Sequence, residues 1–250
     1  MPVELRRAPI SMQLCYGVGD VGVALATSAI GSYLMFFYTD LAGLGVATAG
    51  LVLGAGRVWD AINDPAVGYL SDRTRTRFGR RRPWFAIAAL PLGLSVFALF
   101  APPRAFEGME LALWMLVAYL AADTFFTIFL TPYYALGAEL SEDPDERTRI
   151  VAIRTGFWYL GAIAGSTMPL LAVTVNSEDV RAGYGQVAFG FGALATLAIG
   201  AAFFGTREPP SPPASRFHGC HSLDAGVERS TARGDLTTFF SERPHSQLAG

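Results

Sequence analysis

Lysine is missing from this chain. All 19 basic residues are arginine, and only 16% of the 250 residues are charged, where a soluble domain carries about a quarter. That scarcity argues against a water-soluble fold. Cysteine occurs twice, at Cys15 and Cys220, which supports no disulfide framework. The histidines are His218, His221 and His245, all near the C-terminus. His218 and His221 could ligate a metal with Cys220, or the grouping is adventitious. Elsewhere no His-rich metal cluster and no nucleophile–base set suggests an enzyme. The net charge of −2 gives no sign of nucleic-acid binding.

What remains is apolar. Hydrophobic residues make up 52% of the chain and fall into long blocks, each able to cross a hydrocarbon core of about 30 Å, which takes roughly 20 helical residues. Six spans are predicted, at 12–38, 46–70, 83–101, 111–136, 151–175 and 184–204. Arg6 and Arg7 precede the first block, which is too long for a signal-peptide core and reads as a retained helix. Gly17, Gly19 and Gly22, and then Gly161 and Gly165, are expected to let helices approach closely. Arginines cluster before span one, between spans two and three (Arg73 to Arg82) and between spans four and five (Arg147, Arg149). The alternate loops hold Arg104 and Arg181 among Glu107, Glu178 and Asp179. The positive-inside rule then predicts both termini in the cytoplasm. Residues 207–250 are rich in Pro, Ser, Thr and Arg, with a short helix near 236–240 at most. The expected fold class is an all-α integral membrane protein, a six-helix transmembrane bundle over 1–206 with a disordered, polar cytoplasmic tail over 207–250.

The strongest chemical signal lies inside span two, at Arg57-Val-Trp-Asp-Ala-Ile-Asn-Asp64. Asp60 and Asp64 are four apart and share one helix face, which Arg57 joins. A carboxylate at bilayer depth costs about 2.5–3.5 kcal/mol on insertion scales, so two suggest a purpose. Asp60, Asn63 and Asp64 offer hard oxygen ligands suited to Na⁺, or a carboxylate pair able to hold a proton. The alternative is structural: Arg57 neutralises Asp60, and Asp64 caps the helix before Pro65.

Other ionisable residues within spans are Asp20, Asp123 and Arg154. Asp20 is flanked by Gly19 and Gly22, so another helix or a ligand could come close. Arg154 offers five donors to hydroxyls or an anion, or it forms a salt bridge with Asp123 or Asp20. Tyr133, Tyr134, Trp158 and Tyr159 could stack on a sugar ring or simply pack. The candidate solute contacts are Asp20, Thr127, Tyr134, Arg154 and Trp158. Asp72, in the loop after span two, could form a charged latch with nearby arginines, and the basic run could touch anionic lipid. Arg57, Asp60 and Asp64 are expected to face Asp20 or Arg154 across the bundle.

Five segments occur in order: Tyr16-Gly-Val-Gly-Asp20, Phe36-Phe-Tyr-Thr-Asp40, Arg57-Val-Trp-Asp-Ala-Ile-Asn-Asp-Pro65, Phe78-Gly-Arg-Arg-Arg-Pro-Trp84 and Pro132-Tyr-Tyr-Ala-Leu136. Together they resemble the glycoside–pentoside–hexuronide:cation symporters of the major facilitator superfamily, the group of melibiose permease. The resemblance covers about residues 11–206. It implies cation-coupled symport of a small solute, a sugar or glycoside, by alternating access, with Asp60, Asn63 and Asp64 holding Na⁺, Li⁺ or H⁺ and no other cofactor. It implies that Arg154 contacts the sugar and that Gly68, Asp72 and Arg73 belong to a gate motif. Two sugar-binding acids of melibiose permease are replaced here by Ala24 and Leu130, so galactoside specificity does not carry over. Related members carry lysolipids, which leaves an amphiphile as the alternative substrate.

Family members look like twelve-span proteins, and this chain resembles the first half. Residues 235–244 are similar to the loop before span seven. The partners implied are the solute, a monovalent cation, membrane lipid and a second six-span half or a homodimer. The location implied is the plasma (inner) membrane. A non-transporting remnant or half-transporter subunit is the competing reading.

Overall fold

Long apolar runs with few breakers can satisfy their backbone only within themselves in lipid, so helices are expected. The computed structural model describes residues 9–206 apart from 75, 77, 78 and 142, and it contains seven α-helices. They are α1 (Ile10–Phe36), α2 (Val46–Arg73), α3 (Arg82–Phe100), α4 (Gly108–Glu139), α5 (Pro144–Ser166), α6 (Met168–Val175) and α7 (Val180–Gly205). A π-helical turn at Phe37–Leu41 prolongs α1. Among the described residues there is no strand, only an isolated bridge between Thr76 and Gly79. Residues 1–8 and the tail, with Arg6, Arg7, the short helix expected near 236–240 and the His218/Cys220/His221 grouping, lie outside the described residues.

Helices α1, α3, α4 and α7 are each long and apolar enough to cross a membrane. The chain is a multi-pass, all-α membrane protein. Helix α2, with 28 residues, is long enough, but Arg57, Asp60 and Asp64 spoil its apolarity. The predicted continuous fifth span is corrected to a broken one: α5 and α6 meet at a 43° bend around Thr167. Pro169 is the cause. It has no N–H to give the Gly165 carbonyl, and its ring clashes there.

Local signals set several boundaries. Asp143 caps α5, its carboxylate accepting from the Asp145 N–H at 3.0 Å, with Pro144 at the first helical position where its missing N–H costs nothing. Gly43, at φ 81°, turns the chain from the π-helical end of α1 toward α2 in a conformation that favours glycine.

Helix α1 packs on α5 and α7, α3 on α4 and α7, and α2 on α4. Glycines permit these approaches. A Cβ on Gly165 would lie 2.5 Å from the Leu25 carbonyl oxygen, and one on Gly93 2.5 Å from that of Gly192. The predicted close approaches at Gly17, Gly19, Gly22, Gly161 and Gly165 are all present. Tyr16 and Tyr133 join α1 to α4. Their rings stack at 4.3 Å, the Tyr16 hydroxyl donates to the Tyr133 carbonyl at 3.0 Å, and the Tyr133 hydroxyl donates to that of Tyr16 at 2.6 Å.

Candidate functional site

Helix α2 buries a narrow stripe, including Gly56, Asn63, Val67 and Ser71, at about the spacing of successive helical turns. That stripe meets α4; Gly56 is the seat for the Tyr119 ring. Asp60 and Asp64 flank the stripe and open into a cavity of about 490 Å³. Arg57 shares this cavity, with Asp123, Thr127 and Tyr134 from α4 and Trp158 from α5.

Each acid has a neighbour. Arg57 Nη1 lies 3.5 Å from Asp60 Oδ2, although the Arg57 side chain is 81% exposed. The Thr127 hydroxyl donates to Asp64 Oδ1 at 2.9 Å. Asp123 lies close enough to Asp60 for the two carboxylates to interact, and among the described residues its buried Oδ2 has no hydrogen-bond partner. Two ionised carboxylates resist such an approach unless a cation or proton lies between them. Among the described residues no three His, Cys, Asp or Glu side chains converge on one point. An ion here would therefore draw on at most two of these acids, with hydroxyl, amide or water oxygens completing its shell. Close by, Trp59 Nε1 donates to Thr124 Oγ1 at 2.9 Å.

Several expectations are corrected. Arg57, Asp60 and Asp64 face Asp123, Thr127 and Tyr119 of α4 rather than Asp20 or Arg154. The pairing of α2 with α4 decides this. Asn63 is buried, its Nδ2 without a partner among the described residues, and it does not line the cavity; it stands on the inward stripe between the two acids. Arg154 pairs with Asp20, Nε to Oδ2 at 3.3 Å, and not with Asp123. Neither member of that pair lines the cavity. They stand behind its wall, because the Arg154 guanidinium lies 4.3 Å above the Tyr134 ring. The glycines beside Asp20 admit helices rather than a ligand: a Cβ on Gly22 would meet the Ala195 backbone at 2.7 Å, and one on Gly19 would meet Ala202 and Tyr133. Tyr133 is wholly buried and held by Tyr16, while Tyr159 is 63% exposed and outside the cavity. Tyr134 and Trp158 line the cavity.

Reading the sequence alone named Asp123 as an ionisable residue within a span but did not place it in the site. The signal was present: Asp123, Thr127, Leu130 and Tyr134 repeat at helical spacing on one face of α4, and all four line the cavity.

At the end of the bundle bearing Arg80, Arg81 and Arg82, Asp72 lies 3.6 Å from Arg81, and Glu139 pairs with Arg81 at 3.0 Å and Arg80 at 2.9 Å. These contacts tie the end of α2 to the start of α3 and the end of α4. Arg73 turns aside, its guanidinium 4.1 Å over the Tyr69 ring. Gly68 lies beside Thr131 of α4. Nearby, the buried Glu146 accepts from Gln13 at 2.9 Å and from Ser141 at 2.7 Å, joining α5 to α1.

Comparison with known proteins agrees with this architecture. Residues 15–246 match the profile of a family described as MFS/sugar transport protein. An uncharacterized symporter of Synechocystis is 35% identical over 192 residues, covering 75% of this chain and 35% of the relative. The isoprimeverose transporter of Lactiplantibacillus pentosus is 30% identical, over 82% of this chain and 43% of its own length. The sodium-dependent lysophosphatidylcholine symporter 1-B of Danio rerio is 34% identical, over 65% and 31%. The chain spans less than half the length of these relatives.

Proposed function

Since the chain belongs to the MFS/sugar transport protein family, whose members are transporters and not enzymes, we propose that it forms the first six-span half of a cation-coupled symporter. Asp60 and Asp64 hold the coupling ion, Na⁺, Li⁺ or H⁺, and the Thr127 hydroxyl, which donates to Asp64, stands beside it; Asn63 and Asp123 are neighbours of the two acids rather than ligands. The solute lies against Tyr134 and Trp158, while Asp20 positions Arg154 behind Tyr134. Gly68, Asp72 and Arg73 act at the gate. The observation that carries this reading is the opening of both α2 acids and the α4 face into one cavity.

A sugar or glycoside suits the two accessible rings. The apolar wall that Leu92, Phe126 and Leu130 give the same cavity favours a second reading, a lysolipid or other amphiphile. The exposed charge on α2 indicates a partner. Arg57 at 81% exposure faces no hydrocarbon cheaply, since a charge at the bilayer centre costs about 2.5–3.5 kcal/mol even on the mildest scales. A second six-span half, or another copy of this chain, covers that face, as alternating access between two bundles requires. The remnant reading differs only in lacking such a partner. The protein sits in the plasma (inner) membrane with both termini cytoplasmic, consistent with the arginines at Arg80, Arg81 and Arg82.

Trp59 and Trp158 report on the site. Their fluorescence in reconstituted protein is titrated with NaCl, LiCl and choline chloride, and with acid. The expected result is a saturable response to Na⁺, Li⁺ or H⁺ that choline does not reproduce and that Asp64→Asn removes. Linkage requires the ion to tighten solute binding by the same factor as solute tightens ion binding. An unchanged response in Asp64→Asn would sink the assignment.

A further inference from the structure

A second cavity, of about 430 Å³, lies at the opposite end of the bundle from Arg80, Arg81 and Arg82. It is built where α3 ends and α7 begins. Arg104 and Arg181 line it with Gln186, and Phe97, Phe100 and Phe189 form its apolar walls. The two arginines are not equivalent. Arg104 is engaged by the carboxylate of Asp179, which also accepts from the Ala182 N–H at 3.1 Å. Arg181 Nη2 is buried and has no hydrogen-bond partner among the described residues. A guanidinium N–H withdrawn from water in this way costs about 1–3 kcal/mol or more unless an acceptor reaches it.

The setting selects the acceptor. Phe97 and Phe189 meet edge-on at 5.7 Å, and both are exposed on the outer surface of the bundle. From them an exposed apolar strip continues along Leu94 and Leu90 of α3 and Leu197 of α7. In a membrane protein such a strip meets acyl chains. Helix α3 has 19 residues, a length of about 28 Å at 1.5 Å per residue, so its end lies near the depth where hydrocarbon gives way to headgroups. An anionic group with a long apolar body matches both halves of this site; a free anion would leave the aromatic walls unused.

We propose that this cavity binds the phosphodiester headgroup of an anionic phospholipid, with Arg181 on the phosphate and the acyl chains along the Phe97/Phe189 strip. Arg104 stays with Asp179 and closes the polar side. Gln186 supplies an amide for the glycerol or headgroup oxygens. The site is separate from the cavity at Asp60 and Asp64 and does not depend on what that cavity transports.

The test uses the full chain in nanodiscs of equimolar phosphatidylglycerol and phosphatidylcholine, followed by native mass spectrometry of the released protein. Wild-type protein is expected to retain one phosphatidylglycerol in preference to phosphatidylcholine. Arg181→Gln should weaken that preference roughly tenfold, as loss of one charge-assisted contact implies. Gly185→Leu tests the cavity without touching its charge. A Cβ at Gly185 would lie 3.4 Å from the Ala101 Cβ and 3.5 Å from the Phe100 oxygen, so the backbone tolerates a side chain there, and the rest of a leucine fills the space. It should abolish retention even if Arg181→Gln fails to fold. Equal retention of the two lipids by wild-type protein, or undiminished phosphatidylglycerol in folded Gly185→Leu, overturns the proposal. Displacement of the lipid by inorganic phosphate overturns it in favour of a free-anion site.

Discussion

Replacing Arg154 by methionine should destabilise the bundle more than replacing its partner. The Asp20 side chain is 2% exposed, and the guanidinium 3.3 Å away is 24% exposed. Among the described residues Asp20 Oδ1 already lacks a donor. Without Arg154 the carboxylate would be buried with no opposing charge. Breaking a buried pair from one side costs about 3–5 kcal/mol, and the partial exposure of Arg154 places this case near the lower bound. Asp20→Asn strands a guanidinium instead, but that group keeps some water and the Tyr134 ring at 4.3 Å, a contact worth about 0.5–2 kcal/mol. Its cost should be about 1–2 kcal/mol, since the 3.3 Å contact is an ion pair without hydrogen-bond geometry and a buried donor left without an acceptor costs about 1–3 kcal/mol. The double variant should recover part of the loss, with a coupling energy of about 1–3 kcal/mol. Unfolding of the micellar protein by SDS, followed by far-UV circular dichroism, measures all three. A strictly additive double variant, or an Arg154→Met midpoint equal to wild type, would refute the buried-pair account.

Other outcomes follow from the same geometry. Gly93→Val drives a side chain into the Gly192 backbone and should cost at least about 1–3 kcal/mol; an undiminished SDS midpoint contradicts the tight α3/α7 crossing. Arg81→Gln removes contacts to Asp72 and Glu139, so amides joining α2 to α3 should exchange faster by hydrogen–deuterium mass spectrometry, and unaltered exchange denies the latch. Pro169→Ala restores an N–H opposite the Gly165 carbonyl and should open the 43° bend; spin labels at Val151 and Val175 would move apart, and a constant separation rejects proline as the cause. The Ala182 N–H, and then Arg104, hold the Asp179 carboxyl below the usual carboxylate range. Its stabilisation is complete above the unfolded value, about 3.9, and disappears as pH falls through the lower folded one. Carboxyl NMR showing Asp179 titrating at or above the free-aspartate value counts against this.

Hydropathy made the helices readable, and the charges on α2 were visible because they interrupt it. The break between α5 and α6 was less so. Pro169 stands in the sequence, but an apolar window does not register a missing N–H. Asn63 illustrates a different limit. Asp64 follows it and Asp60 lies three residues before, yet a step of about 100° per residue sends it to another face, and only the docking of α2 on α4 settles which face opens to the cavity. Asp123 was legible as an ionisable residue within a span; its nearness to Asp60 depends on a pairing between distant segments. The choice of Asp20 over Asp123 by Arg154 has the same origin, the close packing of α1 on α5 that Gly161 and Gly165 allow.

The reciprocal bonding of Tyr16 and Tyr133 has a practical consequence. Both phenols spend their protons on backbone oxygens of the opposing helix, so neither is spare to greet a passing molecule. Two crossed struts of this kind resist twisting as well as separation. The segment where they meet offers a fixed datum, against which displacement of any other part of the protein during its working cycle can be surveyed.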